Sequence, residues 1–119
     1  MSLAMSSALA WLSGFGFTEL VEVPFYSIRT FSPPDRTMRK RMAIAFGASL
    51  ITHPFVWFLF PRVFDDEWAM LFAAETFAVV VEALWLRAFG VRHPLLLSIA
   101  ANASSVFLGL SSRQMFGWP

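Results

Sequence analysis

The sequence predicts an all-α protein, an integral membrane four-helix bundle with short loops, and three observations carry that prediction. The 119-residue chain is 57% hydrophobic and 14% charged, whereas soluble domains carry roughly 25% charged residues. Four long apolar runs are separated by short stretches rich in proline or charge. Glu22, His53, Glu75 and Glu82 fall inside those runs. A charged side chain in lipid costs at least ~2.5 kcal/mol, so such residues must turn toward protein or water. The chain has no cysteine, which excludes disulfides, iron–sulfur clusters and thiolate metal sites. Ala8-Leu9-Ala10 mimics a cleavage site but lacks a basic region ahead of it, so Met1 is read as the mature start.

The first span is expected over about 8–28, starting at Leu3 or Ala8. Glu19, Glu22 and Tyr26 share a face, with Gly16 one turn earlier. Pro24 removes one donor and crowds the carbonyl of Leu20, which predicts a kink beside the glutamates. An alternative boundary at Thr18 leaves Glu19 to Tyr26 as an interfacial segment. Residues 29–41 are expected to be a loop, since Ser32-Pro33-Pro34-Asp35 cannot continue a helix. Its cluster of Arg36, Arg39, Lys40 and Arg41 lies between two spans, so the positive-inside rule explains it better than nucleic acid as a partner.

The second span is expected over about 42–60, closed by Pro61. Ala43 and Gly47 give a small face for close helix packing. Phe46, Leu50, His53 and Trp57 read as one stripe, with Ser49 a turn before His53. His53 is either a hydrogen-bonded structural residue or a ligand or proton carrier. The acidic turn Arg62 to Glu67 leads to a third span over about 68–89. Glu75 and Glu82 lie two helical turns apart and face the same way, with Ala78 between them. Arg87 snorkels at its end. After the turn at 90–93, Pro94 suits the first turn of a fourth span over about 94–112. There Ser98, Asn102, Ser105 and Gly109 form a small and polar stripe, the pattern of a helix buried against others. Gly47, Ser98, Ser105 and Gly109 are the expected packing residues, and Asn102 is the one that calls for a polar partner.

Seven of the nine basic residues fall in or beside the first and third connections, which places loops 29–41 and 90–93 in the cytoplasm and both termini outside. Trp57, Trp68 and Trp118 then mark the outer interface and Trp85 the inner one. Heights counted at ~1.5 Å per residue pair His53 with Glu75 in an outer layer and Glu22 with Glu82 in an inner layer. The two layers are roughly 10 Å apart by the same rise, with Asn102 near the middle.

Glu22, His53, Glu75, Glu82 and Asn102 are therefore the candidate ion-, proton- or substrate-binding residues. Stacked carboxylates and imidazole suit a proton- or cation-linked transport element. Besides the lipid bilayer its expected partners are further copies of itself or a larger membrane complex, because four spans enclose little cavity alone. A non-catalytic accessory subunit of a larger complex is the second reading. An intramembrane metal-dependent hydrolase is the third, weakened by the lack of a His-Glu-x-x-His pattern and by His93 lying at the opposite depth from His53. No cofactor and no particular metal ligand set is indicated.

The Glu-Val-Pro run at 22–24, Thr52-His53-Pro54 with Trp57, Glu75 with Glu82-Ala83, and the stripe from Ser98 to Gly109 resemble a widespread group of small uncharacterised bacterial four-span proteins. That resemblance covers most of the chain. It implies a bacterial inner-membrane location and carries over no catalytic role.

Overall fold

The computed structural model describes residues 3–117, with side chains from Leu9 onward, and Trp118 lies outside the described residues. Helix α1 spans Leu3–Tyr26 and runs through Pro24. Ser27 N–H closes its end on the Val23 carbonyl at 3.0 Å, and the Ser27 hydroxyl donates to the same oxygen at 2.7 Å.

A 3-10 turn at Arg29–Phe31 follows, and helix α2 then spans Met38–Val63. It begins four residues before the expected boundary at Met42. The Thr37 side chain accepts from the Lys40 N–H at 3.3 Å and caps the helix start. Arg39, Lys40 and Arg41 are thus helical rather than loop residues. Cations at a helix N-terminus oppose its dipole, but Arg41 folds back to donate to the carbonyls of Ser27 at 3.0 Å and Arg36 at 2.9 Å. Pro54 does not end α2. Because Pro54 offers no N–H and crowds the preceding turn, the helix widens to π geometry over Phe55–Leu59. It resumes as α-helix over Phe60–Val63 with Pro61 in its first turn, where a missing N–H costs little. The expected stop at Phe60 is therefore corrected to Val63.

Helix α3 spans Glu67–Ala88, capped by Asp66, whose carboxylate accepts from the Ala69 N–H at 2.8 Å. It closes on Gly90 at φ +77°, with Val91 N–H donating back to the Leu86 carbonyl at 3.0 Å. Helix α4 spans Pro94–Phe116 with Pro94 in its first turn. It runs past the expected end at Ser112 to Gly117, whose φ of +68° stops the helix.

Neighbouring helices touch in the order α1–α2–α3–α4, and α4 returns against α1, closing a ring. The short connections make successive helices antiparallel. The particle measures 46 × 28 × 26 Å. Among the described residues, α2, α3 and α4 are long and apolar enough to cross a membrane. Helix α1 has the length, at 24 residues, but its glycines, serines and two glutamates keep it out of that set.

The end of the bundle that carries the first and third connections is closed by an apolar plug. Tyr26, Ala45, Ala48, Leu86, Val91, Leu97 and Ala101 form it, with Phe31 and Trp85 packed on the outside. Arg92 N–H donates to the Phe31 carbonyl at 2.7 Å, tying the two connections together. Gly47 lets α2 approach α3 here, because a Cβ on it would lie 2.7 Å from Trp85 Cζ2. The Trp85 indole N–H donates to the Ile44 carbonyl at 2.9 Å, fixing the ring that fills the space.

Candidate functional site

Above the plug, all four helices contribute polar side chains to one buried network. Glu22 on α1 is 1% exposed, and Glu82 on α3 is 1% exposed. Glu22 Oε1 accepts from the Ser49 hydroxyl of α2 at 2.7 Å, and its Oε2 accepts from the Ser105 hydroxyl of α4 at 2.8 Å. Glu82 Oε1 accepts from the Tyr26 hydroxyl at 2.6 Å and from Asn102 Nδ2 at 3.1 Å. Its Oε2 accepts from the Thr52 hydroxyl at 2.6 Å. Every carboxyl oxygen thus has a partner from another helix, as buried polar groups require.

The donor and acceptor inventory fixes one side of this network and leaves another adjustable. An amide nitrogen can only donate. Asn102 Nδ2 lies 2.9 Å from the Ser98 carbonyl and 3.1 Å from both the Tyr26 oxygen and Glu82 Oε1, so one of its two hydrogens serves the Ser98 carbonyl and the other the Tyr26–Glu82 pair, in which the Tyr26 hydroxyl donates to Oε1. The Thr52 hydroxyl has other acceptors within reach, the Ser49 carbonyl at 3.2 Å and the Ala48 carbonyl at 3.4 Å. It can turn its hydrogen to either and accept a proton-bearing Glu82 Oε2 instead. Ser105 has the same choice between Glu22 Oε2 and the Asn102 carbonyl at 3.1 Å. Each carboxyl therefore has one oxygen beside a hydroxyl that serves it as donor or acceptor.

A cavity of about 170 Å³ borders the network, lined by Glu22, Thr52, His53, Glu75, Glu82, Asn102 and Ser105 among others. It shares Thr18, His53, Trp57, Ser105 and Val106 with a second space of about 230 Å³. That space reaches Leu71, Leu110 and Arg113, at the end where α3 begins and α4 finishes. Together they form a vestibule leading from one end of the bundle to the carboxyls, with the apolar plug beyond them.

The structure brings Glu22, Glu82, Asn102, Ser98 and Ser105 into the network. Ser98 is fully buried and also donates to the Val79 carbonyl at 2.8 Å. Gly109 faces Phe17 at an ordinary distance, 3.7 Å from a built Cβ. Glu75 and His53, expected at one height, both line the cavity, and no hydrogen bond joins them among the described residues. His53 instead sits among aromatic rings, edge-on to Phe15 at 5.3 Å and tilted to Trp57 at 6.0 Å, with its buried Nδ1 unpartnered. The expected stripe on α2 is also corrected. Phe46 and Leu50 are exposed, and the buried face runs through Ala45, Ala48, Ser49, Thr52 and His53. Trp57 is half-buried and lies over Gly14, where a Cβ would come within 2.7 Å of its ring.

Tyr26 and Thr52 are hydrogen-bond partners of Glu82 that the sequence reading did not assign. Tyr26 was already on the face of Glu22, and Thr52 follows Ser49 at helical spacing, so both signals were present. Among the described residues no three His, Asp or Glu side chains converge to hold a metal ion. The sequence matches no protein-family model, and neither a curated protein nor a solved structure matches it.

Proposed function

We propose that this chain is a small integral protein of the bacterial inner membrane that loads and unloads protons at Glu22 and Glu82 as part of proton-linked transport. In this reading α1 is a fourth span, both termini are outside, and loops 29–41 and 90–93 are cytoplasmic. The vestibule then opens outward, and the plug closes the cytoplasmic side. One observation carries the proposal: two buried carboxyls from opposite helices, each beside a hydroxyl with an alternative acceptor, border a cavity that reaches one end of the bundle. A group that takes and gives up a proton inside a membrane needs both a route and a partner that adapts to either state. Thr52 and Ser105 fill the second requirement by turning their hydroxyls, with no movement of the backbone. Passage to the other side needs the plug around Tyr26, Leu86 and Val91 to part, which is the second half of an alternating cycle.

The test is proton flux in proteoliposomes. Glu82→Gln keeps the size of the side chain and its contacts to Tyr26, Asn102 and Thr52, so the protein should fold. Flux should fall to the level of protein-free liposomes; undiminished flux would overturn the proposal. The reading as a subunit of a larger membrane complex predicts instead that the protein alone carries no flux and that a larger membrane partner purifies with it in mild detergent.

A further inference from the structure

The first and third connections meet beyond the plug, and a pocket of about 390 Å³ lies between them. Arg29, Thr30 and Ser32 line it from the first connection, and Gly90 and Arg92 from the third. The size falls within the ~300–1,000 Å³ range of small-molecule sites. Backbone bonds hold its walls: Arg92 N–H donates to the Phe31 carbonyl at 2.7 Å, and Ser32 N–H to the Arg29 carbonyl at 3.1 Å. Gly90, at φ +77°, approaches Pro33 closely enough that a Cβ on it would lie 3.5 Å from the proline Cγ. Two arginines far apart in the sequence are thereby fixed on one pocket.

Both arginines are exposed, and neither guanidinium has a hydrogen bond or ion pair within the described residues. Ser32 is 7% exposed, and its hydroxyl is likewise without a protein partner there. No acidic side chain lines the pocket; Asp35, the one acid in either connection, is exposed and lies outside the lining. Guanidinium forks match the oxygens of a phosphate, and a hydroxyl adds a neutral donor. The surroundings select among phosphates. Helix α2 starts at Met38, α3 ends at Ala88 and α4 starts at Pro94, so with these helices across a bilayer the pocket falls at headgroup level. Ile28 and Phe89, the residues just before Arg29 and Gly90, are 37% and 38% exposed, and Leu95 and Leu96 are more so. Apolar surface for acyl chains therefore adjoins the positive charge, and a free phosphate would leave it uncovered. We propose that this pocket binds the headgroup of an anionic phospholipid, its phosphate on Arg29, Arg92 and Ser32 and its chains along Ile28 and Phe89. The site rests on the helices crossing the membrane and is independent of how the interior carboxyls act.

Native mass spectrometry of the detergent-solubilised full chain tests it, with phosphatidylglycerol as the probe. Zwitterionic phosphatidylcholine of the same chains and chain-free glycerol phosphate are the comparison ligands. The wild type should bind phosphatidylglycerol saturably and in preference to both. Arg29→Gln and Arg92→Gln should each weaken that binding about fivefold, the effect of one cation at an anionic membrane surface, and the double variant more. Both side chains are exposed and unbonded, so the fold should be unaffected. Lys40→Gln removes the same charge from the same end but outside the lining, and should leave binding unchanged. Glu82→Gln, which tests proton flux, should leave it unchanged as well. Equal binding of the two lipids, or losses in the arginine variants no greater than in Lys40→Gln, would overturn the proposal. Glycerol phosphate binding as tightly as the lipid would overturn it too, by giving the pocket to a soluble phosphate.

Discussion

Removing one oxygen at the boundary between network and plug tests the wiring at Glu82. Tyr26 is 1% exposed, its hydroxyl donates to Glu82 Oε1 at 2.6 Å, and it accepts from Asn102 at 3.1 Å. Tyr26→Phe deletes the shorter of the two bonds on Oε1 and leaves the ring in the plug, so the cavity formed is no larger than one oxygen. No group is orphaned: Glu82 Oε1 keeps Asn102 at 3.1 Å, and Asn102 keeps the Ser98 carbonyl at 2.9 Å. The loss is therefore that of a single hydrogen bond. Intramembrane hydrogen bonds average ~0.6 kcal/mol with a maximum near 1.7, and bonds to charged groups contribute about 1.5–3 kcal/mol. A short bond to a carboxyl belongs near the overlap of those ranges, about 1–2 kcal/mol. Reversible unfolding of the purified protein by SDS measures it. In a Glu82→Gln background the same substitution should cost only the neutral average of ~0.6 kcal/mol, which makes the double-mutant cycle diagnostic. A cost below ~0.3 kcal/mol in both backgrounds would refute the assignment of Tyr26 as a donor to Glu82.

Two further outcomes are expected. Gly47→Val drives a side chain into Trp85, whose ring lies 2.7 Å from the built Cβ, and should destabilise by about 1–3 kcal/mol in the same unfolding assay; Gly16→Ala, mid-helix and in open space, should not destabilise and should gain up to ~1 kcal/mol. The absence of cysteine makes single-thiol labelling clean. Thr18→Cys, on the vestibule wall, should react with a hydrophilic thiol reagent in the folded protein, while Ala45→Cys, fully buried in the plug, should not; equal reactivity would remove the one-sided access.

Much of the architecture was legible because hydropathy alone locates long apolar helices, and α3 and α4 begin within one residue of where it placed them. The ends of α2 were misjudged for local reasons. Hydropathy read Arg39 to Arg41 as loop although Thr37 caps a helix there, and Pro61 was read as a stop although the π segment before it resets the hydrogen-bond pattern. The depth argument succeeded for Glu22 and Glu82 in placing them beside one cavity. His53 and Glu75 line the same cavity, but helical rise gives height and says nothing of how each helix is rotated. His53 is turned toward the rings of Trp11 and Phe15 on α1, so equal height with Glu75 produced no bond. The partners of Ser49 and Thr52 were left unassigned for a related reason, although their helical spacing was visible. In a long apolar helix a hydroxyl can bond its own backbone, and only the packed partner helix reveals which do more.

Infrared difference spectroscopy of the lipid-reconstituted protein between acidic and alkaline buffer most directly reports whether the interior carboxyls take up and release protons. The account predicts a carboxylic-acid band that changes with pH, is lost in part in Glu82→Gln and in Glu22→Gln, and shifts in Thr52→Val, where no hydroxyl remains to bond it. A spectrum in which no titrating carboxyl band belongs to Glu22 or Glu82 would contradict it.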